Sequence, residues 1–333
     1  MKKWIALTLS VILVLSLCAC GDIGSKCPAP EDENVTVPLL TKANITNIYE
    51  DEEEKAESVL EYDQNYNLIG NKTYQDGKLV NEITYDKDPY RPLVDQDYDE
   101  DGNKSERREY TYDKDGNQLS YTKYNEDGEV DWKYVYTYDE DGNMLTEQSY
   151  TDDEMDYEIT YTYDEHGNLL TERNENGEED WENTYENTYE NGKLTEVKAY
   201  CDGTLSGVTQ YDSDGNEILS IRYFDEEEES RAEYTYENGK LVTSVDYWYG
   251  EESSRCEYTY DEDGKLIQEY ACYNGSYEHK LTLTYNDNGN LVSMSRYSDG
   301  ELVSEITLTY ESVTVSKDIA KKIEKLISIL GML

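Results

Sequence analysis

Tyr134–Leu170, YVYTYDEDGNMLTEQSYTDDEMDYEITYTYDEHGNLL, holds one whole unit of a repeat and the start of the next. YTYDEDGNML at Tyr136 returns as YTYDEHGNLL at Tyr161, and the cassette recurs as YTYDKDGNQL at Tyr110, YTYENGKLV at Tyr234, YTYDEDGKLI at Tyr258 and LTYNDNGNLV at Leu283. A period of about 25 residues marks an array of small supersecondary units. Tyr, Thr and Val at every second residue, bounded by Asp, Asn and Gly, predict a strand followed by a tight turn. A second turn midway, as at Asn274-Gly275 and Asp299-Gly300, makes each unit two antiparallel strands of roughly eight residues.

The turns come in two lengths. In D-x-D-G-N turns a Tyr stands six residues before the next apolar residue (Tyr138 and Met144, Tyr260 and Leu266); in the shorter N-G turns it stands five before (Tyr189 and Leu194, Tyr236 and Leu241). Pairing through a three-residue loop with a left-handed Gly, or through a two-residue type I′ loop, sets Tyr opposite the apolar residue in both. Strict alternation then puts Trp132, Tyr134, Tyr136, Tyr138, Met144 and Tyr150 on one face. Lys133, Thr137, Glu147 and Ser149 fall on the other.

The 333 residues carry 76 acidic against 29 basic side chains, for a formal net charge of -47. High charge with low hydropathy is a mark of disorder, but 35 tyrosines oppose it. Each aromatic can remove about 150 Å² from water, so at about 25 cal/mol per Å² even half burial of about 30 rings contributes tens of kcal/mol. The same charge excludes nucleic acid and disfavours direct contact with anionic membranes. It leaves cations and basic proteins as suitable partners.

Residues 1–19 have a basic start and an apolar run, as in an export signal. Leu17-Cys18-Ala19-Cys20-Gly21 resembles the lipobox of bacterial lipoproteins, which implies cleavage before Cys20, a diacylglyceryl group on its sulfur, and anchoring at the outer face of the bacterial cell membrane. Residues 20–58 are polar, acidic and aperiodic, with Pro28, Pro30 and Pro38, and read as a lipidated, flexible tether. The repeats occupy 59–315. They start where YDQNYNL places Tyr66 in the position of the turn Gly, and KDPYRP (Lys87–Pro92) interrupts them with a loop or bulge. In 316–333 the period changes: Ile319, Ile323, Leu326, Ile327 and Leu330 share one helical face, which predicts an amphipathic helix capping the last strand.

The cassette resembles the YD repeat of Rhs-type proteins, in YTYDEDGNML, YTYDEHGNLL and YTYDEDGKLI. That resemblance implies a long antiparallel sheet that curls or spirals, and in large members a shell around a C-terminal toxin. Here the usual G-R-L is G-N-L or G-K-L, and about 20 residues follow the last repeat, which leaves no room for such a payload. The expected fold is all-β: tandem hairpins in one curled sheet, tyrosines mainly inward, with a helical cap.

For function, Trp132, Trp181 and Trp248 are candidates for stacking on a ligand, since rows of aromatics on a rigid sheet suit sugar rings or apolar side chains. The carboxylates of the D-x-D-G-N turns, Asp139, Asp141, Asp261 and Asp263, offer weak Ca²⁺ binding, although an EF-hand's further ligands are missing. Cys256 and Cys272 fall on one face of adjacent strands, diagonal to each other, so a disulfide is one option. With no nucleophile elbow, P-loop or zincin motif, a non-enzymatic role is expected, without cofactor. The favoured role is a cell-surface binding scaffold for cell-wall or host glycans or proteins. The alternatives are a structural envelope spacer or a relative of a polymorphic-toxin shell.

Overall fold

The computed structural model describes residues 34–48, 53–86, 88, 90–174 and 180–330. Strands β1 (Asn34–Ile48), β2 (Glu53–Tyr62), β3 (Leu68–Gln75), β4 (Lys78–Tyr85), β5 (Pro92–Tyr98), β6 (Lys104–Tyr112), β7 (Gln118–Tyr124), β8 (Val130–Tyr138), β9 (Met144–Thr151), β10 (Glu154–Tyr163) and β11 (Leu169–Asn174) form the first half of one sheet. The second half comprises β12 (Trp181–Glu190), β13 (Lys193–Cys201), β14 (Thr204–Tyr211), β15 (Glu217–Phe224), β16 (Glu227–Glu237), β17 (Lys240–Trp248), β18 (Glu251–Tyr260), β19 (Leu266–Tyr273), β20 (Tyr277–Tyr285), β21 (Leu291–Ser298) and β22 (Glu301–Ser316). A single helix, α1 (Lys317–Leu330), follows.

Each strand pairs antiparallel with its sequence neighbours, and β1 pairs with β22 from Asn34↔Ser316 to Asn47↔Ser304. The sheet is therefore a closed, 22-stranded up-and-down barrel, which corrects the expected open, curled sheet. Closure leaves no edge strand, and an unpaired edge is what an open array must cover. The strand that closes the ring lies inside the stretch read as a tether. Residues 34–48 and 53–58 are strand, driven by Val35, Val37 and Leu39 alternating against Val315, Val313 and Glu311. Pro38 is tolerated opposite Ser312 in this long strand pair. Among the described residues, strands come within 8 Å (Cα to Cα) of their hydrogen-bonded neighbours only, so the ring is hollow rather than a two-layer sandwich.

The hairpins follow the predicted chemistry. Tyr138 faces Met144 and Tyr236 faces Leu241. In the longer turn, Asp139 N–H donates to Asn143 O (2.9 Å) and Gly142 adopts φ +87°. In the shorter, Asn238 and Gly239 take φ +52° and +75°, the type I′ pattern. Tyr66 sits at φ +57°, in place of the turn Gly, and Pro92, the last residue of the proline-bearing interruption, is the first residue of β5.

Next to these turns the register shifts by one residue. Tyr138 pairs with Met144 while Thr137 pairs with Thr146, leaving Leu145 as a bulge; the same shift follows Tyr163, Tyr236, Tyr260 and Tyr285. A bulge resets the alternation downstream. Glu147 and Ser149 therefore pair with Tyr136 and Tyr134 on the tyrosine face, and Tyr150 pairs with Lys133 on the opposite one, reversing their expected places. The bulge residues Ile69, Leu93, Leu119 and Leu145 fall between the paired positions and are more than a third exposed.

The bulges also explain why the aromatic is tyrosine rather than phenylalanine. At five of these shifts the preceding residue's carbonyl accepts a hydroxyl from the next unit: Tyr138 to Gln118 O (2.8 Å), Tyr163 to Met144 O (2.8 Å), Tyr260 to Leu241 O (2.8 Å), Tyr285 to Leu266 O (2.9 Å) and Tyr310 to Leu291 O (2.7 Å). Tyr62 does the same at the seam, to Leu40 O (2.6 Å). Each hydroxyl ties one hairpin to the one before it. Replacing Tyr285 with Phe keeps the ring and strips the partner from a half-buried carbonyl. Equilibrium denaturation should show a loss of about 1 kcal/mol.

The main buried core lies at the seam. Val37, Leu39, Leu40 and Val315 pack with Ala320, Ile323 and Ile327 of α1, and Tyr62, Tyr66 and Tyr310 close around them. The helix was expected to shield a free last strand; it packs instead on the pair that closes the ring. Lys322 adds a hydrogen bond to Asn67 Oδ1 in the turn after β2.

Candidate functional site

The richest side-chain constellation lies on the tyrosine face across β5–β8. Tyr110 meets Tyr121 edge-on (centroids 5.2 Å apart), Tyr121 leans on Tyr134 (6.0 Å), and Tyr134 stacks on Tyr136 (6.4 Å, interplanar angle 11°). Pairings Tyr110↔Tyr121 and Tyr121↔Tyr134 put the first three rings side by side on successive strands, and alternation along β8 adds the fourth. Burial, reinforced by Glu147, pushes the Tyr136 hydroxyl up to about 12. The Tyr110 hydroxyl is raised by burial and by Asp95. These phenols are neutral hydrogen-bonding groups at physiological pH.

A charged cluster adjoins the rings. Arg108 donates to Asp95 Oδ2 (3.0 Å), Asp97 Oδ2 (2.9 Å) and Glu106 Oε2 (3.0 Å), and Asn81 Nδ2 bridges the same two aspartates at 2.6 and 2.8 Å. Burial raises the Asp95 carboxyl despite the Asn81 and Arg108 contacts, as expected for a charge partly withdrawn from water. Lys123 is held by Glu106 (3.1 Å) and lies 4.2 Å from the Trp132 ring centroid. Nothing in the sequence pattern singled out Arg108 or Lys123. Their signal was a pair of cations on the tyrosine face, visible only once the register is known.

The three candidate tryptophans do not form one row. Trp132 has an ammonium over its ring, Trp181 is half-buried at the start of β12, and Trp248, at the end of β17, is 50% exposed beside Tyr249 (5.3 Å, edge-on). The turn carboxylates serve their own turns. Asp139 Oδ1 accepts from Asp141 N (2.9 Å) and Asn143 N (2.8 Å), and Oδ2 from Asn143 Nδ2 (2.9 Å); these bonds, Asn143's first, hold its carboxyl below the usual range. Asp261 Oδ1 accepts from Lys265 N (2.8 Å), while Asp141 and Asp263 are exposed. Among the described residues no three His, Cys, Asp or Glu side chains converge as a metal site.

Cys256 pairs with Ala271 and Cys272 with Arg255, so the two thiols are on opposite faces, a correction produced by the bulge after Tyr260. Cys201, Cys256 and Cys272 are free. The lipidation candidate Cys20 lies outside the described residues.

Residues 138–179, which include the Asp139–Asn143 turn, match the RHS Repeat family. The match covers 42 of the 333 residues. In fold, it is similar to the TcdB2-TccC3 complex, alone (TM-score 0.38, 13% identity, 75% of this chain and 16% of that one) and with Cdc42 at the same values. It is also similar to a porin-like protein from Bacteroides uniformis (TM-score 0.30, 14% identity, 82% of this chain and 98% of that one). The chain thus spans about a sixth of the TcdB2-TccC3 polypeptide it matches. No curated protein matches it.

Proposed function

We propose that this RHS-repeat barrel is a non-catalytic binding scaffold, exported and lipid-anchored through Cys20 at the outer face of the bacterial cell membrane. The observation that carries this reading is the Tyr110–Tyr121–Tyr134–Tyr136 platform: four rings in an unbroken chain of contacts, held by a hydrogen-bonded ring of hairpins. Such a surface stacks on sugar rings or receives apolar side chains with little loss of conformational freedom. The closed wall of strands favours a second reading, a structural spacer or a relative of a toxin shell, in which the tyrosine face is only a lining.

The test uses the chain with Cys20 replaced by serine, which keeps every described residue. Wild type should partition into detergent and C20S into the aqueous phase. Arrays of cell-wall glycans, host glycans and surface proteins should return a ligand for C20S that the Tyr134→Ala, Tyr136→Ala double variant loses. Aqueous partition of the wild type would remove the anchor. An empty array, or binding untouched by the double variant, would remove the platform and leave the spacer.

A further inference from the structure

Three adjacent hairpins at one rim of the barrel carry a second aromatic group, in a different place from the platform. Phe224 ends β15, Trp248 ends β17 and Tyr273 ends β19; they are 62%, 50% and 40% exposed, and Tyr249, in the turn after Trp248, is 59% exposed. The pairings Phe224↔Glu227, Trp248↔Ser230 and Tyr273↔Ser254 place all three strand-end rings on the tyrosine face. Alternate strands set them about 10 Å apart sideways. The corresponding positions of other hairpins hold Thr151, Cys201 and Ser298, so the turn itself does not call for an aromatic. Phe224 is the single phenylalanine beside 35 tyrosines, at a place where its ring meets water. The neighbouring turn is stiff: Tyr249 has φ +47° and its N–H donates to Glu229 O (2.8 Å).

The charges around these rings are one-sided. Asp225, Glu226 and Glu227 follow Phe224, Glu251 faces Trp248 across the hairpin, and exposed Asp246 lies two residues below Trp248 on the same face. Against these five carboxylates the same face offers Arg222. Glu252, on the opposite face, is bridged by Arg255 (2.7 Å). A neutral sugar would use the rings and gain little from the carboxylates. An ammonium or guanidinium group gains from both, through the ring faces and through ion pairing.

We infer that this rim patch binds a basic polypeptide segment, with lysine or arginine side chains laid over Trp248 and Phe224 and paired with the surrounding carboxylates. The inference rests on the scaffold reading above, though on a separate surface. It is tested by fluorescence polarisation of a labelled octapeptide of alternating lysine and glycine against C20S. The titration is run at about 0.15 M salt, where diffuse attraction is screened beyond roughly 8 Å.

Trp248→Ala should weaken binding about 5- to 30-fold, and Phe224→Ala by a smaller factor in the same direction. Both rings are exposed, so both variants should keep the parental melting temperature. Tyr90→Ala, which removes an exposed ring in the turn before β5, should bind like the parent, and a peptide of acetylated lysines should not bind. Equal affinity of Trp248→Ala and parent would show attraction by net charge alone and overturn the proposal. So would a neutral oligosaccharide whose binding Trp248→Ala abolishes while peptide affinity is unchanged. Because the platform is read by Tyr134→Ala, Tyr136→Ala and the rim by Trp248→Ala, failure of one is distinguishable from failure of the other.

Discussion

A chain that begins at Ser58 should fail to form the barrel. Residues 34–57 contain all of β1 and half of β2, and β1 pairs with β2 on one side and β22 on the other. Its loss opens the ring and leaves one edge of β22, a strand of 16 residues, without its partner. It also removes Val37, Leu39 and Leu40, three of the seven buried residues that pack at the seam. At about 1.5–3 kcal/mol per buried aliphatic side chain, those three account for roughly 5–9 kcal/mol before any hydrogen bond is considered. A typical domain has only about 5–15 kcal/mol in total. The truncated protein should lose its cooperative thermal transition and elute as aggregate, the fate of long exposed edges. A monomer melting at the parental temperature would show that closure through β1 is dispensable.

Ile323→Asp should be nearly as damaging from a single atom group. Ile323 is fully buried between α1 and the β1–β22 seam. A carboxylate there has no partner in the apolar cluster, and unpaired buried charge is among the few point changes that cost more than about 4 kcal/mol. Ile323→Ala should cost about 2–4 kcal/mol, the usual price of a buried cavity. Lys321→Ala and Lys325→Ala, on the exposed side, should stay within about 0.5 kcal/mol. The series also separates two uses of an amphipathic helix. If α1 worked by lying on a membrane, Ile323→Asp would reduce vesicle binding and leave the melting temperature of the soluble protein unchanged.

The hairpins were legible because both turn lengths lead to the same Tyr–apolar pairing, and Tyr66 could be placed in a left-handed position from its neighbours alone. The helix was legible from Ile319 to Ile327, where the apolar period changes from two to between three and four. Closure was not. Asn34–Ile48 lacks the tyrosine cassette and contains Pro38, and its partner lies more than 250 residues away. Its only local signal was the short alternation Val35, Val37, Leu39, which the acidic, proline-bearing surroundings outweighed. The bulges were hidden for another reason. They alter no turn length, so strict alternation gave the right partner for Tyr138 and the wrong face for Glu147 and Tyr150. At the site, the aromatic pattern announced a platform, but which rings stay open depended on Lys123 over Trp132 and on the rim position of Phe224.

Joining β1 to β22 in antiparallel sense imposes an arithmetic on the ring. An up-and-down wall whose last member runs opposite to its first can hold only an even number of members. Copying or losing one cassette of about 25 residues changes the number by two and alters the perimeter by about 10 Å. Half a cassette would bring β1 and β22 together in the same direction, with every hydrogen bond of the seam mismatched. Tandem duplication, the simplest genetic event for such a gene, is therefore also the one that leaves the wall shut, and bore width can drift in fixed steps without passing through an open form.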